Sequence, residues 1–144
     1  MRRVLFLLLL FAAPAVLAAE FRSIGENATS MFDAPSAKAN PLFVASKFYP
    51  VELMVQLDAW TKVRDAAGDL AWVEKKNLSD MRTVVVTAPL ADVRAIPEDG
   101  APLVFQARQG VALEITELGA GLWVKVRHRD GQTGFVRANQ VWGL

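Results

Sequence analysis

One pentapeptide recurs in this chain with a single residue changed, and the similarity between the two halves extends over most of the sequence. Trp60-Thr-Lys-Val-Arg64 returns 63 positions later as Trp123-Val-Lys-Val-Arg127. Upstream, Met31-Phe-Asp-Ala-Pro35 aligns with Val93-Arg-Ala-Ile-Pro97 at an offset of 62, with the proline in common. A unit of about 60 residues that occurs only twice does not form a solenoid, which needs at least three stacked repeats. The repetition therefore predicts two copies of one small domain.

The pattern within each copy is that of β-strands. Residues 51–57 alternate between apolar and polar side chains with few exceptions, and residues 123–127 place Val124 and Val126 on one face. An Asp130-Gly131 pair between two such runs predicts a tight hairpin. Several short strands in a unit of this size predict a small barrel, which buries one face of its sheet.

Three motifs resemble the bacterial SH3 (SH3b) family. Trp123-Val-Lys-Val-Arg127 followed by Asp130-Gly-Gln-Thr-Gly-Phe-Val136 is similar to the family pattern W-x-K-V then G-x-x-G-[WY]-V. Ala91-Asp-Val-Arg-Ala-Ile-Pro97 is similar to the opening of that family, L-N-V-R-x-x-P. The first copy is a looser match, with Ala71 where the second copy has Gly134. The resemblance implies an all-β fold of two tandem SH3-like five-stranded barrels.

The first 18 residues have the order of a secretory signal peptide. Arg2 and Arg3 form a charged start, residues 4–13 are an apolar run, and Ala18 is a small residue suited to cleavage. The apolar run is shorter than the ~20 residues that a membrane span needs. We expect an exported protein, periplasmic or extracellular, with no membrane span after cleavage. We expect the first barrel at residues 19–82 and the second at 83–144.

Charge and composition exclude several classes of function. Without Arg2 and Arg3, the 16 basic residues become 14, against 15 acidic ones, so the mature chain is about neutral. A nucleic-acid-binding protein presents an excess of basic side chains, and we therefore expect no nucleic-acid partner. The chain has no cysteine and a single histidine, His128. These residues leave few routes to a nucleophilic triad or a metal site, so we expect no enzymatic activity and no cofactor.

Strand alternation defines a candidate binding surface on each barrel. If Val124 and Val126 face inwards, their neighbours along the strand face outwards. The predicted surface residues are Trp60, Lys62, Arg64 and Trp72 in the first barrel, and Trp123, Lys125, Arg127 and Phe135 in the second. Aromatic rings stack on sugar rings or peptide planes, and cations pair with carboxylates. In the alternative interpretation the tryptophans cap the barrel ends or the interdomain contact, with lysine or arginine stems over their rings.

The resemblance also implies a function. Members of the family are mostly exported and often associate with the cell wall. We expect a non-enzymatic binding module of the cell envelope that recognises peptidoglycan or an envelope protein. Two alternatives remain open: an interaction or scaffold protein of the periplasm without wall affinity, and an accessory subunit of a cell-wall hydrolase.

The junction between the copies does not look like a flexible linker. Arg82-Thr-Val-Val-Val-Thr87 is rich in β-branched residues. By the repeat register it opens the second barrel, yet it directly follows the end of the first. We expect one strand, residues 82–87, to be shared by both barrels. Such a strand predicts a fixed interdomain angle and one cooperative unfolding transition.

Overall fold

The computed structural model describes residues 18–119 and 121–144. The predicted signal peptide, residues 1–18, lies outside the described residues except for Ala18, and it stays a prediction. Within the described ranges the regular structure consists of β-strands and two single 3₁₀ turns. No helix in this part of the chain has both the length and the apolar character that crossing a membrane requires.

The first copy forms an antiparallel sheet. Its strands are β1 (Phe21–Ile24), β2 (Thr29–Phe32), β3 (Pro41–Ala45), β4 (Pro50–Gln56), β5 (Trp60–Arg64), β6 (Leu70–Glu74) and β7 (Leu78–Ser79), with a 3₁₀ turn at Lys75–Asn77. The order across the sheet is β3-β2-β6-β5-β4-β1-β7.

The second copy repeats this arrangement. Its strands are β8 (Thr83–Val86), β9 (Leu90–Arg94), β10 (Leu103–Arg108), β11 (Ala112–Glu117), β12 (Trp123–Arg127), β13 (Thr133–Arg137) and β14 (Val141–Trp142), with a 3₁₀ turn at Ala138–Gln140. The order is β10-β9-β13-β12-β11-β8-β14, which is the first order with every strand replaced by its repeat equivalent.

Each sheet curls around a core of its own. In the first, Ala45 on the edge strand β3 belongs to the same core cluster as Val51, Val63 and Val73, and Leu78 on the opposite edge strand β7 packs against that cluster. A flat sheet could not bring its two edges to one cluster, so the sheet is rolled into a barrel. The second core has the same construction around Val84, Val93, Leu113, Val124, Val126, Val136 and Val141.

The expected fold class, two tandem all-β SH3-like units, is confirmed. Each sheet contains seven strands where five were expected. One cause is that a two-residue strand follows each 3₁₀ turn and pairs with the first strand of its sheet: Ser79 lies opposite Ser23, and Trp142 opposite Val85. These short pairings lengthen the sheet at one edge.

Gly134 marks a close contact between two strands of the second barrel. It lies on β13 where β9 crosses closely, and a Cβ atom there would stand 2.7 Å from the Arg94 carbonyl oxygen and 2.7 Å from Val93 Cγ1. Only glycine permits that approach. The first copy has Ala71 at this position, and the residue that replaces Val93 is Met31.

The prediction that residues 82–87 form a strand common to both barrels is wrong. A strand has two hydrogen-bonding edges, and both edges of β8 are used inside the second sheet, one by β11 and the other by β14. The first sheet already ends with β7, which pairs with β1. Sequence register alone did not reveal that β7 completes the first barrel.

The two barrels nevertheless touch directly. The rings of Phe21 on β1 and Trp142 on β14 meet edge to face, with centroids 5.2 Å apart. Ser23 Oγ donates a hydrogen bond of 2.7 Å to the Met81 carbonyl in the connecting segment. Arg82 Nη2 donates one of 2.9 Å to the carbonyl of Gly143 at the end of the second barrel. These contacts support the predicted fixed angle by a route other than a shared strand.

Candidate binding surfaces on the two barrels

Alternation along β5 and β12 sorts the side chains of both barrels. Thr61 and Val63 are buried in the first core, and Val124 and Val126 are buried in the second. The residues between and beside them lie on the outer face of the sheet. The structure thereby places all eight predicted surface residues outside the cores, with Trp60, Lys62, Trp72, Trp123, Lys125 and Phe135 half-buried and Arg64 and Arg127 exposed.

The first barrel carries a group that we call the first aromatic surface: Phe32, Trp60, Lys62 and Trp72. The Phe32 and Trp60 rings meet edge to face, with centroids 5.6 Å apart. Trp72 lies opposite Lys62 on the neighbouring strand β5 and opposite Phe32 on β2. Three aromatic side chains from three adjacent strands therefore share one outer face, with one lysine among them.

The second barrel carries the equivalent group, the second aromatic surface: Trp123, Lys125, Phe135 and Arg137. The Lys125 ammonium lies 5.8 Å from the centroid of the Phe135 ring, and the Arg137 guanidinium lies 4.9 Å from that of Trp123. Both are cation–π contacts. This surface is more cationic than the first, because Arg137 and Arg94 occupy the positions of Glu74 and Phe32.

Arg137 is held over Trp123 by an ion pair. Its Nε donates to Asp99 Oδ1 at 3.0 Å, and its Nη2 contacts the other carboxylate oxygen of Asp99. The hydrogen bond from Arg137 lowers the pKa of the Asp99 carboxyl and raises the pKa of the guanidinium. The alternative interpretation, in which a cationic side chain covers the ring, thus describes Trp123 well. Trp60 instead has the edge of Phe32 against it.

Arg64 and Arg127 are engaged elsewhere. Arg64 Nε donates to Glu52 Oε2 at 2.8 Å, and Arg127 Nη2 donates to Glu114 Oε2 at 2.8 Å. Each pair joins directly opposite residues of two neighbouring strands. The cations that the aromatic surfaces can offer a ligand are therefore Lys62 and Lys125, which form no ion pair within residues 18–119 and 121–144.

His128 lies close to the junction of the barrels. Its Nδ1 is 3.1 Å from Asp130 Oδ1, and its ring centroid is 5.8 Å from that of Phe105. The backbone N–H of Gln132, with a smaller contribution from His128, lowers the pKa of Asp130. Among the residues that the structure describes, no group of three or more potential ligands is arranged to hold a metal ion.

Sequence reasoning overlooked a cavity between the barrels, which Phe48, Met81, His128 and Arg129 line. One signal was available. Aligning the copies at the offset of 62 sets Phe48 against Gly110. A bulky residue at the position where the other copy has glycine indicates that it shares the backbone conformation that glycine favours. Such strained residues concentrate at functional sites.

These features define a class of protein: a pair of SH3-like barrels that present aromatic and cationic side chains outwards, in the manner of a binding module. Comparison with known families agrees. The family described as Bacterial SH3 domain matches twice, at residues 25–80 and 87–143. The chain belongs to the bacterial SH3 domain family.

No curated protein matches the sequence significantly. Among solved structures, an NlpC/P60 family protein from Bacillus cereus is similar with a TM-score of 0.40 and 14% identity over 85% of this chain and 56% of that one. NlpC1 and NlpC2 from Trichomonas vaginalis are similar with TM-scores of 0.37 each and 13% and 10% identity. The match with NlpC1 covers 95% of this chain and 50% of that protein. The match with NlpC2 covers 89% of this chain and 49% of that protein. This chain therefore spans about half the length of either protein.

Proposed function

We propose that this chain is a non-enzymatic binding protein of the cell envelope that recognises peptidoglycan or an envelope protein through its two aromatic surfaces. Membership of the bacterial SH3 domain family supports a binding role. The observation that carries the proposal is the cluster of Phe32, Trp60 and Trp72 with Lys62 on the outer face of the first barrel. Its repeat equivalent lies on the second.

The chemistry of these surfaces suits a wall polymer. Half-buried aromatic rings offer apolar area to sugar rings or peptide planes at little entropic expense, because the neighbouring strands already hold them. Lys62 and Lys125 stand beside the rings, where each can pair with a carboxylate of a wall peptide. Two such surfaces on one chain would raise the overall affinity for a repetitive polymer, because the second contact forms within the same complex.

The non-enzymatic part of the proposal rests on the side chains available. The chain has no cysteine, and its one histidine is engaged with Asp130. The test is co-sedimentation with purified sacculi, followed by analysis of the supernatant. We expect the protein in the pellet and no soluble muropeptides above the level without protein. Release of muropeptides would show that the chain is an enzyme.

A scaffold role without wall affinity has one observation in its favour. Strand β3 is an edge of the first sheet, and it exposes Leu42 and Val44, the latter at 62%. An edge strand with apolar side chains can accept a strand from a partner protein. Protein that stays in the supernatant with sacculi would favour this second candidate over the first.

A further inference from the structure

The two barrels enclose a cleft of about 310 Å³ at their junction. From the first barrel and the connecting segment it is lined by Lys47, Phe48 and Met81, and from the second by Arg127, His128 and Arg129. This volume lies within the range of pockets that hold small ligands, ~300–1,000 Å³. None of the residues of the aromatic surfaces lines it, so the cleft is a separate feature of the molecule.

Phe48 has a backbone conformation that bulky residues avoid. Its φ is +74°, in the left-handed region, and the equivalent residue of the second copy is Gly110 with φ +87°. Glycine adopts this conformation without strain, whereas phenylalanine does not. Strained residues of this kind concentrate at binding sites, where the side chain has a use. Here the strained backbone carries the one phenyl ring among the residues that line the cleft.

The cleft continues past Phe48. A second cavity of about 500 Å³ shares Lys47, Phe48 and Met81 with the first and extends along the first barrel towards Lys76. Phe48 and Met81 line both cavities, so the two hollows lie side by side at the junction. Two adjacent hollows suit an extended chain better than a compact molecule, since an extended chain can contact both.

The first cavity is positively charged, and its one carboxylate, Glu114, is already paired with Arg127 at 2.8 Å. The second cavity adds one carboxylate, Glu26, and one further cation, Lys76. Lys47 and Arg129 form no ion pair with any residue in the described part of the chain. The Lys47 ammonium lies 5.3 Å from the centroid of the Phe48 ring, so a cation and an apolar face stand side by side.

We propose that this cleft binds an extended acidic peptide segment in which an apolar side chain stands between carboxylates. The apolar side chain packs against Phe48 and Met81. One carboxylate pairs with Arg129 from the second barrel and another with Lys47 from the first. The ligand therefore bridges the barrels. The proposal does not rest on wall binding, because the recognising residues differ from those of the aromatic surfaces.

The test is titration calorimetry of the purified chain with the acetylated, amidated peptide Ala-Glu-Ala-Leu-Ala-Glu-Ala, in which both glutamates and the leucine share one face when the peptide is extended. The neutral peptide Ala-Gln-Ala-Leu-Ala-Gln-Ala is the comparison. We expect the acidic peptide to bind about tenfold more tightly, since a charge-assisted pair is roughly twice as strong as a neutral hydrogen bond. Arg129→Gln should weaken the acidic peptide about tenfold. Lys38→Gln removes the same charge from an exposed loop outside the cleft and should leave the affinity unchanged.

Phe48→Gly is the most specific test of the apolar contact. Glycine suits the left-handed backbone, as Gly110 shows, so this variant keeps the fold while the apolar contact is lost. We expect an unchanged far-ultraviolet dichroism spectrum and peptide binding about tenfold weaker. Equal affinity for the two peptides would overturn the proposal. So would an Arg129→Gln effect no larger than that of Lys38→Gln, or full peptide binding by folded Phe48→Gly.

Heparin tests the alternative that the cleft binds any anionic polymer. Heparin that binds more tightly than the peptide, with an affinity unaffected by Phe48→Gly, would assign the cations to a general polyanion and overturn the peptide proposal. Trp72→Ala should leave peptide affinity unchanged. Loss of sacculus binding in Trp72→Ala with peptide binding retained would therefore separate the aromatic surfaces from the cleft.

Discussion

Thr83 donates a hydrogen bond from its Oγ1 to the backbone carbonyl of Phe48 at 2.6 Å. Thr83 is buried at the start of the second barrel, and Phe48 is the left-handed residue between β3 and β4 of the first. The bond ties the strained residue to the other barrel. The conformation of Phe48 and the angle between the barrels are therefore coupled.

Thr83→Val tests this coupling. Valine keeps the shape of the side chain but leaves the Phe48 carbonyl without its donor in a partly buried place. We expect the free energy of unfolding in urea to fall by about 1–2 kcal/mol. Thr116→Val, on an exposed position of β11, is the control and should change it by less than about 0.5 kcal/mol. Equal stability of Thr83→Val and the parent would show that the bond contributes nothing.

Gly143→Ala tests whether the barrels unfold as one unit. A Cβ there would stand 2.7 Å from the Thr83 carbonyl oxygen and 3.1 Å from Cβ of Pro50 in the first barrel, and φ is +122°. We expect a loss of about 2–3 kcal/mol. The control is Gly100→Ala, where φ is +78° and no atom lies within 4 Å, so only the backbone strain of about 1 kcal/mol applies.

Calorimetry of both glycine variants should show one transition, shifted most in Gly143→Ala, because the junction contacts belong to both barrels. Two resolved melts in the parent protein would contradict the fixed interdomain angle.

The pH dependence of the Asp99–Arg137 pair can be worked out from its pKa directions. The folded-state pKa of Asp99 lies below its ordinary value of 3.8 because Arg137 donates a hydrogen bond to it. The pair therefore contributes stability above that ordinary value, and the contribution is lost as the pH falls through the folded-state pKa. Arg137→Gln should raise the pKa of Asp99 towards 3.8 in an NMR titration. An unchanged pKa in that variant would show that Arg137 is not the cause.

Export is tested by the N-terminus of the protein recovered after expression with its full sequence. Cleavage after Ala18 should give a mature chain that begins at Ala19 or Glu20. N-terminal sequencing of the protein from the periplasm or the medium checks this. Protein that retains Met1 and stays in the cytoplasm would contradict the predicted localisation.

Local sequence patterns correctly predicted the features of the fold that depend on neighbouring residues. Alternation along β5 and β12 correctly separated Thr61 and Val63 from the outer residues, because side chains of a strand must point to opposite faces. The repeat correctly predicted two similar units. What failed was nonlocal: the shared strand, since only the pairing of β8 with β11 and β14 shows that both its edges are occupied.

In the candidate site, too, local features could be predicted from the sequence and features that depend on strand pairing could not. The outward position of Trp60 follows from alternation, whereas the capture of Arg64 by Glu52 depends on the register between β4 and β5. That register contains a bulge between Leu53 and Val55. The aligned repeats did contain a signal for this pairing, because both copies have a glutamate at the same position, Glu52 in the first and Glu114 in the second.

The central claim is that the two aromatic surfaces hold the protein on wall material. It is tested most directly by co-sedimentation with purified sacculi for the parent, for Trp72→Ala with Phe135→Ala, and for the exposed-position control Leu90→Ala. We expect the double variant to bind at least about tenfold more weakly than the parent, since each ring contributes roughly 0.5–1.5 kcal/mol beyond area burial. Leu90→Ala should bind as the parent does. Equal binding of the folded double variant and the parent would contradict the account.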